Sequence, residues 1–356
     1  MQRASDFDFD LPDALIASEP SPSRDGSRLL VIDDVPRHAQ VRALADHLEA
    51  GSLLVVNDTR VLPARLFAEK PTGGKVELLL VDRLGTEGTT ETWRALAASS
   101  KAMRVGPLQL RGERAPIVEV LSASPPYVEL RLSPVGESLE QALDRLGELP
   151  LPPYIVKARE ARGAERASKS DRDRYQTVFA RHAGAVAAPT AGLHLSDALL
   201  ADLAARGIER AAITLHVGPG TFAPLRSDVL DENRLHEEKF FITEETAAKI
   251  NEAKSSGRPI VAVGTTVVRA LEANARDDGS VRAGEGSTEL FIKPGYRFRV
   301  IDRLLSNFHL PRSSLLVLVA AFAGKDRVMH AYREAIAHGY RFYSYGDATL
   351  SMRLSP

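Results

Sequence analysis

Four apolar runs in this chain each stop abruptly in a turn of small and polar residues: SLLVVNDTRVL at 52–62, GAVAAPTAGLHL at 184–195, ITLHVGPGTFAPL at 213–225 and VAVGTTVVRALE at 261–272. A short apolar run closed by glycine, asparagine or threonine reads as a buried strand whose end meets solvent. Helix-like stretches, SDALLADLAARG and TEETAAKINEAKSSG, lie among these runs. Strand and helix in alternation predict a layered α/β architecture. In such sheets ligands bind beyond the carboxyl ends of the strands. The four turns are therefore where chemistry is expected.

Between residues 63 and 152 the texture changes. KVELLLVDR, TWRALAA, LQLRG, APIVEVLS and YVELRLS are short runs, several of them alternating apolar with polar, and glycine, proline and serine punctuate them. Five or so short strands in under ninety residues predict a small β-barrel. A helix, SLEQALDRLGE, precedes the proline-rich exit LPLPPY. Upstream, SRLLVIDD reads as a strand, VRALADHLEAG as a helix closed by Gly51, and a helix opens at Pro12. The expected fold is thus an α/β domain made of residues 1–62 and 153–356, with a β-barrel at 63–152 inserted in it. A length of 356 residues suits two domains.

Two further segments carry expectations. SSLLVLVAAFA, at 313–323, reads as a buried strand and is far shorter than the roughly 20 residues needed to span a bilayer. The densely charged segment 157–174 reads as a solvated surface loop. Its alternative is a basic arm on RNA phosphates.

Composition excludes several classes. The chain has no cysteine, so disulfides, iron–sulfur clusters, thiolate zinc sites and a cysteine nucleophile are ruled out. Forty-six basic residues nearly balance forty-seven acidic ones, so RNA contact would rest on a local patch. The acidic N-terminal stretch lacks the basic-then-apolar pattern of an export signal, and a cytoplasmic monomer is expected. There is no GxGxxG, no Walker lysine and no GxSxG elbow. His194, His216, His236 and His309 are scattered, without HExxH or HxH spacing, so no metal is expected in the reaction.

The turns supply the candidate residues. Asn57, Asp58, Thr59 and Arg60 place donors and acceptors at the first strand end, or form an Asx-type turn with a surface ion pair. Thr190 and Gly192 belong to a small-residue loop where backbone can approach a ligand closely. His194 follows, as a group able to titrate near neutral pH or as a packed histidine, and Ser196 caps the next helix. His216 lies in the third strand, before the glycine turn that holds Gly220 and Thr221. Gly264, Thr265 and Thr266 open a helix whose free N–H groups favour polar ligands, with Arg269 on its first turns. Near the C-terminus come SNFHLPRSSLL, with Asn307 and His309, and HGYRFYSYGDA, with Tyr340, Arg341, Phe342, Tyr343, Tyr345 and Asp347. Aromatics beside cations can stack an extruded base, or can form an aromatic strand on the core.

NDTRVLPARL, GGKVELLLV, LPLPPYI, DRYQTVFA, GAVAAPTAGLHL, LHVGPGTF, VGTTVVRALE, PGYRFRVIDRLLSNFHLPRSSLLVLVAAFAG and AYREAIAHGYRFYSYGDA occur in this order. Together they resemble the S-adenosylmethionine:tRNA ribosyltransferase-isomerase family. The resemblance implies an α/β domain with an inserted β-barrel. It also implies transfer of the ribosyl part of S-adenosylmethionine to 7-aminomethyl-7-deazaguanine at the tRNA wobble position, giving epoxyqueuosine, adenine and methionine. On that reading His194, Asp58 and His216 are the acid/base candidates. Asn57, Thr59, Arg60, Thr190, Gly192, Gly220, Thr221, Thr265, Thr266 and Arg269 line the S-adenosylmethionine pocket. Asn307, His309, Tyr343, Tyr345 and Asp347 hold the tRNA base. Three rivals remain: a non-catalytic RNA-binding protein, an enzyme of small nucleotides or sugar phosphates, and a conventional methyltransferase.

Overall fold

A computed structural model describes residues 2–168, 170–218 and 225–354. It resolves into two compact units. The larger is Met1–Thr59, Pro153–His182 and Pro189–Pro356; the smaller is Arg60–Pro152 and Ala183–Ala188. The division falls at Arg60, where residue 63 was expected, and six later residues join the smaller unit.

The strands, in chain order, are β1 (Arg28–Ile32), β2 (Arg37–Gln40), β3 (Leu53–Asn57), β4 (Thr59–Val61), β5 (Arg65–Glu69), β6 (Lys75–Glu87), β7 (Thr90–Ser99), β8 (Gly106–Leu110), β9 (Ile117–Ser124), β10 (Tyr127–Ser133), β11 (His182–Ala185), β12 (Glu209–Leu215), β13 (Glu238–Ile242), β14 (Ile260–Val263), β15 (Gly284–Thr288), β16 (Arg303–Asn307) and β17 (Ala348–Met352). The α-helices are α1 (Leu139–Leu146), α2 (Pro153–Ala161), α3 (Asp171–Arg174), α4 (Asp197–Ala205), α5 (Glu244–Ser255), α6 (Thr265–Asn274), α7 (Ser314–Ala323) and α8 (Lys325–Ala337).

In the larger unit nine described strands form one mixed sheet, in the order β15-β13-β12-β3-β14-β16-β17-β1-β2. β12, β3, β14 and β16 run parallel to their neighbours in this group. β17 is antiparallel to β16 and parallel to β1. Strands β3 and β14 are buried along their whole length, as the centre of a covered parallel sheet requires. Leu54, Val56, Val261, Val263, Leu305 and Leu350 pack with Leu199 and Leu203 of α4 in one core. The first of these helix residues sits above a cap: the Ser196 hydroxyl accepts from Leu199 N at 3.1 Å.

In the smaller unit six strands pair in a closed cycle, β10-β7-β6-β5-β8-β9. Alternate residues Val76, Leu78 and Leu80 of β6 point inward with Trp93 and Leu130. Strand β5, RLFAE, is the one the sequence reading passed over; its half-buried alternation is only five residues long and is bounded by the charged Arg65 and Glu69.

Five local expectations are corrected. The run 313–323 is the helix α7 and not a strand. Its residues are apolar all round, so periodicity carries no signal, and the cap decides: Ser313 accepts from Leu316 N at 3.2 Å. The segment 157–174 is not a solvated loop throughout. Part of it is α2 and α3, and Arg159 and Asp171 are each 1 % exposed. Their bidentate ion pair, at 2.6 and 2.9 Å, offsets the burial of both charges. The expected helix before Gly51 is a 3-10 helix, Val41–His47, and the one at Pro12 is a single 3-10 turn. The aromatic segment near 340–347 is a turn and not a strand, with Tyr343 at φ 75°.

Candidate active site

Because β12, β3, β14 and β16 run the same way, their carboxyl ends lie along one edge of the sheet. That edge carries, in order, His216, Asn57 with Asp58, Gly264 with Thr265, and Asn307. The reversal at β17 then brings the turn before Ala348 to the same edge, since Asn307 pairs with Ala348.

One buried cluster forms there. Thr190 Oγ1 donates to Asn307 Oδ1 at 3.0 Å. Asn307 Nδ2 faces three acceptors: His194 Nε2 at 3.0 Å, Tyr343 O at 3.2 Å and Ser344 O at 3.5 Å. Two carbonyls on the nitrogen side fix which way the amide points, so Nε2 of His194 accepts and its ring proton sits on Nδ1. His194 and Asn307 are each 3 % exposed. Burial pushes the His194 pKa down from 6.5 to about 4; the Asp347 charge raises it and the Arg341 charge lowers it. The expectation of a histidine titrating near neutral pH is therefore corrected: the ring is neutral.

The cluster is braced by a residue that sequence reasoning left without a role. The Tyr154 ring stacks on Tyr343 with centroids 3.9 Å apart, and Ser344 N donates to the Tyr154 hydroxyl at 3.0 Å. Its signal was the tyrosine in LPLPPY, directly after the proline-rich exit. Burial raises the phenol pKa of both Tyr154 and Tyr343, so both stay protonated.

Helix α6 begins beside this cluster. Gly264, at φ 94°, turns the chain from β14 into the helix, a conformation that glycine adopts without strain. Thr265 and Thr266 are buried in the first turn, where backbone N–H groups lack intrahelical partners. Gly192 has a different reason from the one expected. A Cβ there would sit 2.9 Å from both Phe179 Cζ and Thr177 Cγ2, so the glycine makes room for its own neighbours and not for a ligand.

A second polar group lies further along the edge. Asp58 Oδ1 accepts from Thr214 Oγ1 at 2.7 Å, and Asp58 Oδ2 lies 3.7 Å from His182 Nε2. With Arg181, Asp197, Arg210 and Lys249 these residues line a cavity of about 530 Å³. Thr59 Oγ1 lies 2.8 Å from His216 Nδ1, just beyond the end of β12 and not within it as expected.

Other candidates are committed elsewhere. The Asn57 amide is used by backbone, giving to Leu215 O and accepting from Leu215 N and Thr59 N, so it clamps β3 to β12. Arg60 pairs with Glu140 and lies 3.7 Å from Asp144, both on α1. Arg269 is buried against Glu238. The Tyr345 hydroxyl donates to Asp171 Oδ1 at 2.9 Å. Asp347 takes Arg28 N, Arg28 Nε, Arg28 Nη2 and Arg341 N between 2.8 and 3.1 Å. Four donors fill that carboxylate, so the expected contact with a base edge is corrected. His309 is different: its Nε2 is buried with no hydrogen-bond partner among the described residues, and burial takes its pKa to about 3. Gly220 and Thr221 lie outside the described residues.

Comparison with known proteins sets this edge in a family. The family model described as queuosine biosynthesis protein matches residues 4–351. A protein of Syntrophotalea carbinolica named S-adenosylmethionine:tRNA ribosyltransferase-isomerase is 49% identical over 98% of this chain and 99% of its own length. A protein of an Anaeromyxobacter species with the same name is 51% identical over 99% of both. The crystal structure of an S-adenosylmethionine tRNA ribosyltransferase from Thermotoga maritima is similar at 34% identity, with a TM-score of 0.53, over 97% of this chain and 99% of that one.

Proposed function

Since the chain belongs to the queuosine biosynthesis family of S-adenosylmethionine:tRNA ribosyltransferase-isomerases, we propose that the strand edge around His194 is where it works. The enzyme transfers and isomerises the ribosyl part of S-adenosylmethionine onto 7-aminomethyl-7-deazaguanine at the tRNA wobble position. Epoxyqueuosine-tRNA, adenine and methionine are the products. The reaction needs a base beside the sulfonium, a proton for departing adenine, an uncharged attacking amine and a rigidly held base.

The observation that carries the placement is the buried Thr190–Asn307–His194 chain next to the open first turn of α6. A neutral imidazole is in the protonation state a base requires. We assign proton removal to His194, whose Nε2 lone pair takes the proton once its contact with Asn307 Nδ2 opens, with Thr190 holding the Asn307 amide. Asp58, beside His182, is the second acid/base candidate, and His216 the third. Thr59, Thr190, Thr265 and Thr266 are assigned to S-adenosylmethionine. Tyr343 and His309 are assigned to the tRNA base, where the unpartnered His309 Nε2 can accept a hydrogen bond. Gly192, Asn57, Arg269, Tyr345 and Asp347 act as supports for this frame, and Arg60 is held by Glu140 within the smaller unit.

The closed cycle of six strands supports reading the smaller unit as a small β-barrel inserted in the chain of a layered α/β domain. No described helix is long and apolar enough to cross a membrane. We read the enzyme as a cytoplasmic monomer whose reaction uses no metal. The test is one incubation with S-adenosylmethionine and a tRNA bearing the aminomethyl-deazaguanine. Adenine release with the ribosyl-derived mass gain in the digested nucleoside is expected. Tight tRNA binding without either product would make this an RNA-binding protein; S-adenosylhomocysteine would make it a methyltransferase.

A further inference from the structure

We propose that His38, Glu334 and His338 form a binding site for a divalent transition-metal ion of the zinc class, apart from the residues assigned to the reaction. His38 lies on the edge strand β2, Glu334 in the last turn of α8 and His338 just past its end. Both imidazoles converge on one oxygen: Glu334 Oε1 is 3.5 Å from His38 Nε2 and 3.3 Å from His338 Nδ1. The three ligand atoms all lie within 4.8 Å of one another. In a tetrahedral zinc site with ligands at about 2.0–2.1 Å, adjacent ligand atoms stand about 3.3 Å apart. Two of the three edges therefore already lie near the bound value, and His338 Nδ1, which donates to the Glu334 carbonyl oxygen at 3.0 Å, exchanges that contact and its proton for the ion.

A second observation separates this cluster from an ordinary surface ion pair. His38 Nδ1 lies 2.9 Å from the Tyr340 hydroxyl, and that hydroxyl reaches Leu29 O at 3.5 Å. The hydroxyl donates to the carbonyl and accepts from Nδ1–H, which leaves the lone pair of Nε2 aimed at Glu334. Metal-binding histidines are held by such an outer partner. Tyr340 is 1 % exposed and its ring is covered by the Arg28 guanidinium at 4.2 Å, so the partner is fixed. Two imidazoles and one carboxylate select a zinc-like ion over magnesium or calcium, and three protein ligands leave a position for water. All three side chains are between a third and just over half exposed, so an ion enters directly from solvent. Bound there, it clips the edge strand β2 to α8.

The test is calorimetric titration of the untagged, chelator-stripped full chain with zinc chloride. One saturable site is expected, weakened at least about 100-fold by His38→Ala or His338→Ala, and about 10-fold by Tyr340→Phe, which keeps the ring and removes the outer partner. Zinc should also raise the melting temperature of the wild type and not that of His38→Ala. Absence of saturable zinc binding overturns the proposal. So does equal affinity in the wild type and either histidine variant, or magnesium binding as tight as zinc.

Discussion

Asn307 Nδ2 lies 3.0 Å from His194 Nε2, and this contact holds the ring nitrogen as an acceptor inside a fully buried site. The protonated ring would face an N–H donor there. Geometry and burial thus agree on a neutral histidine, at a pKa of about 4.

The rate should follow that assignment. His194→Ala is expected to lower kcat for adenine release by about 10²–10⁴, the usual size of a general acid–base contribution. In the wild type the acid limb of the kcat profile should fall as pH drops through about 4, because the base is then protonated. Asn307→Asp places a carboxylate beside the ring and should move that limb to higher pH. An unmoved limb would mean that His194 is not the group being titrated.

Stability should fall with acidity by the same group. The folded pKa of His194 is depressed from 6.5 to about 4, so the unfolded chain binds the proton first. Its contribution is fully present above pH 6.5 and is lost as pH falls toward 4, on the order of 3 kcal/mol in all. His309, at about 3, adds to the same slope. Urea midpoints at pH 7.5 and 4.5 measure it; His194→Gln should flatten the difference.

Arg159 and Asp171 are predicted to matter for folding and not for tRNA affinity. Arg159→Met leaves Asp171 buried and unpaired, at a cost of about 3–5 kcal/mol. Replacing both by apolar residues should recover much of it. Chemical denaturation reads the first effect, and tRNA binding at two salt concentrations checks that the salt slope is unchanged.

Gly192→Ala should destabilise the chain by about 1–3 kcal/mol, because its Cβ has no room beside Phe179 and Thr177. Trimming one neighbour, in Gly192→Ala with Thr177→Ser, should restore part of the loss. Thermal melts of the single and double variants decide between packing and a ligand-facing role for this glycine.

Much of this was legible in the sequence because burial and turns leave local marks. Strands β3 and β14 were readable from uninterrupted apolar runs, and α6 from the glycine and threonines that open it. Helix α7 was not, since nine consecutive apolar residues look alike in either conformation. The site was legible as a set of strand ends, but its membership was not. Asp347 reads as an available acid until Arg28, more than three hundred residues away in sequence, is seen to fill it. Arg159 reads as surface charge until Asp171 is found against it. Sequence spacing cannot show partners that only the folded sheet brings together, and Tyr154 beside Tyr343 is the same case.

Strand β17 has an order-of-assembly consequence. It is the last described strand in the chain, yet it lies inside the sheet, between β16 and β1. During synthesis every other described strand leaves the ribosome before the one that joins them. Until it arrives, β16 lacks a neighbour on one side, and the carbonyls of Tyr343 and Ser344 that orient Asn307 are not in place. With the reaction placed at His194 as proposed, a nascent chain has no finished site until residues 340–352 have emerged and slotted in, and adenine release is expected only after that.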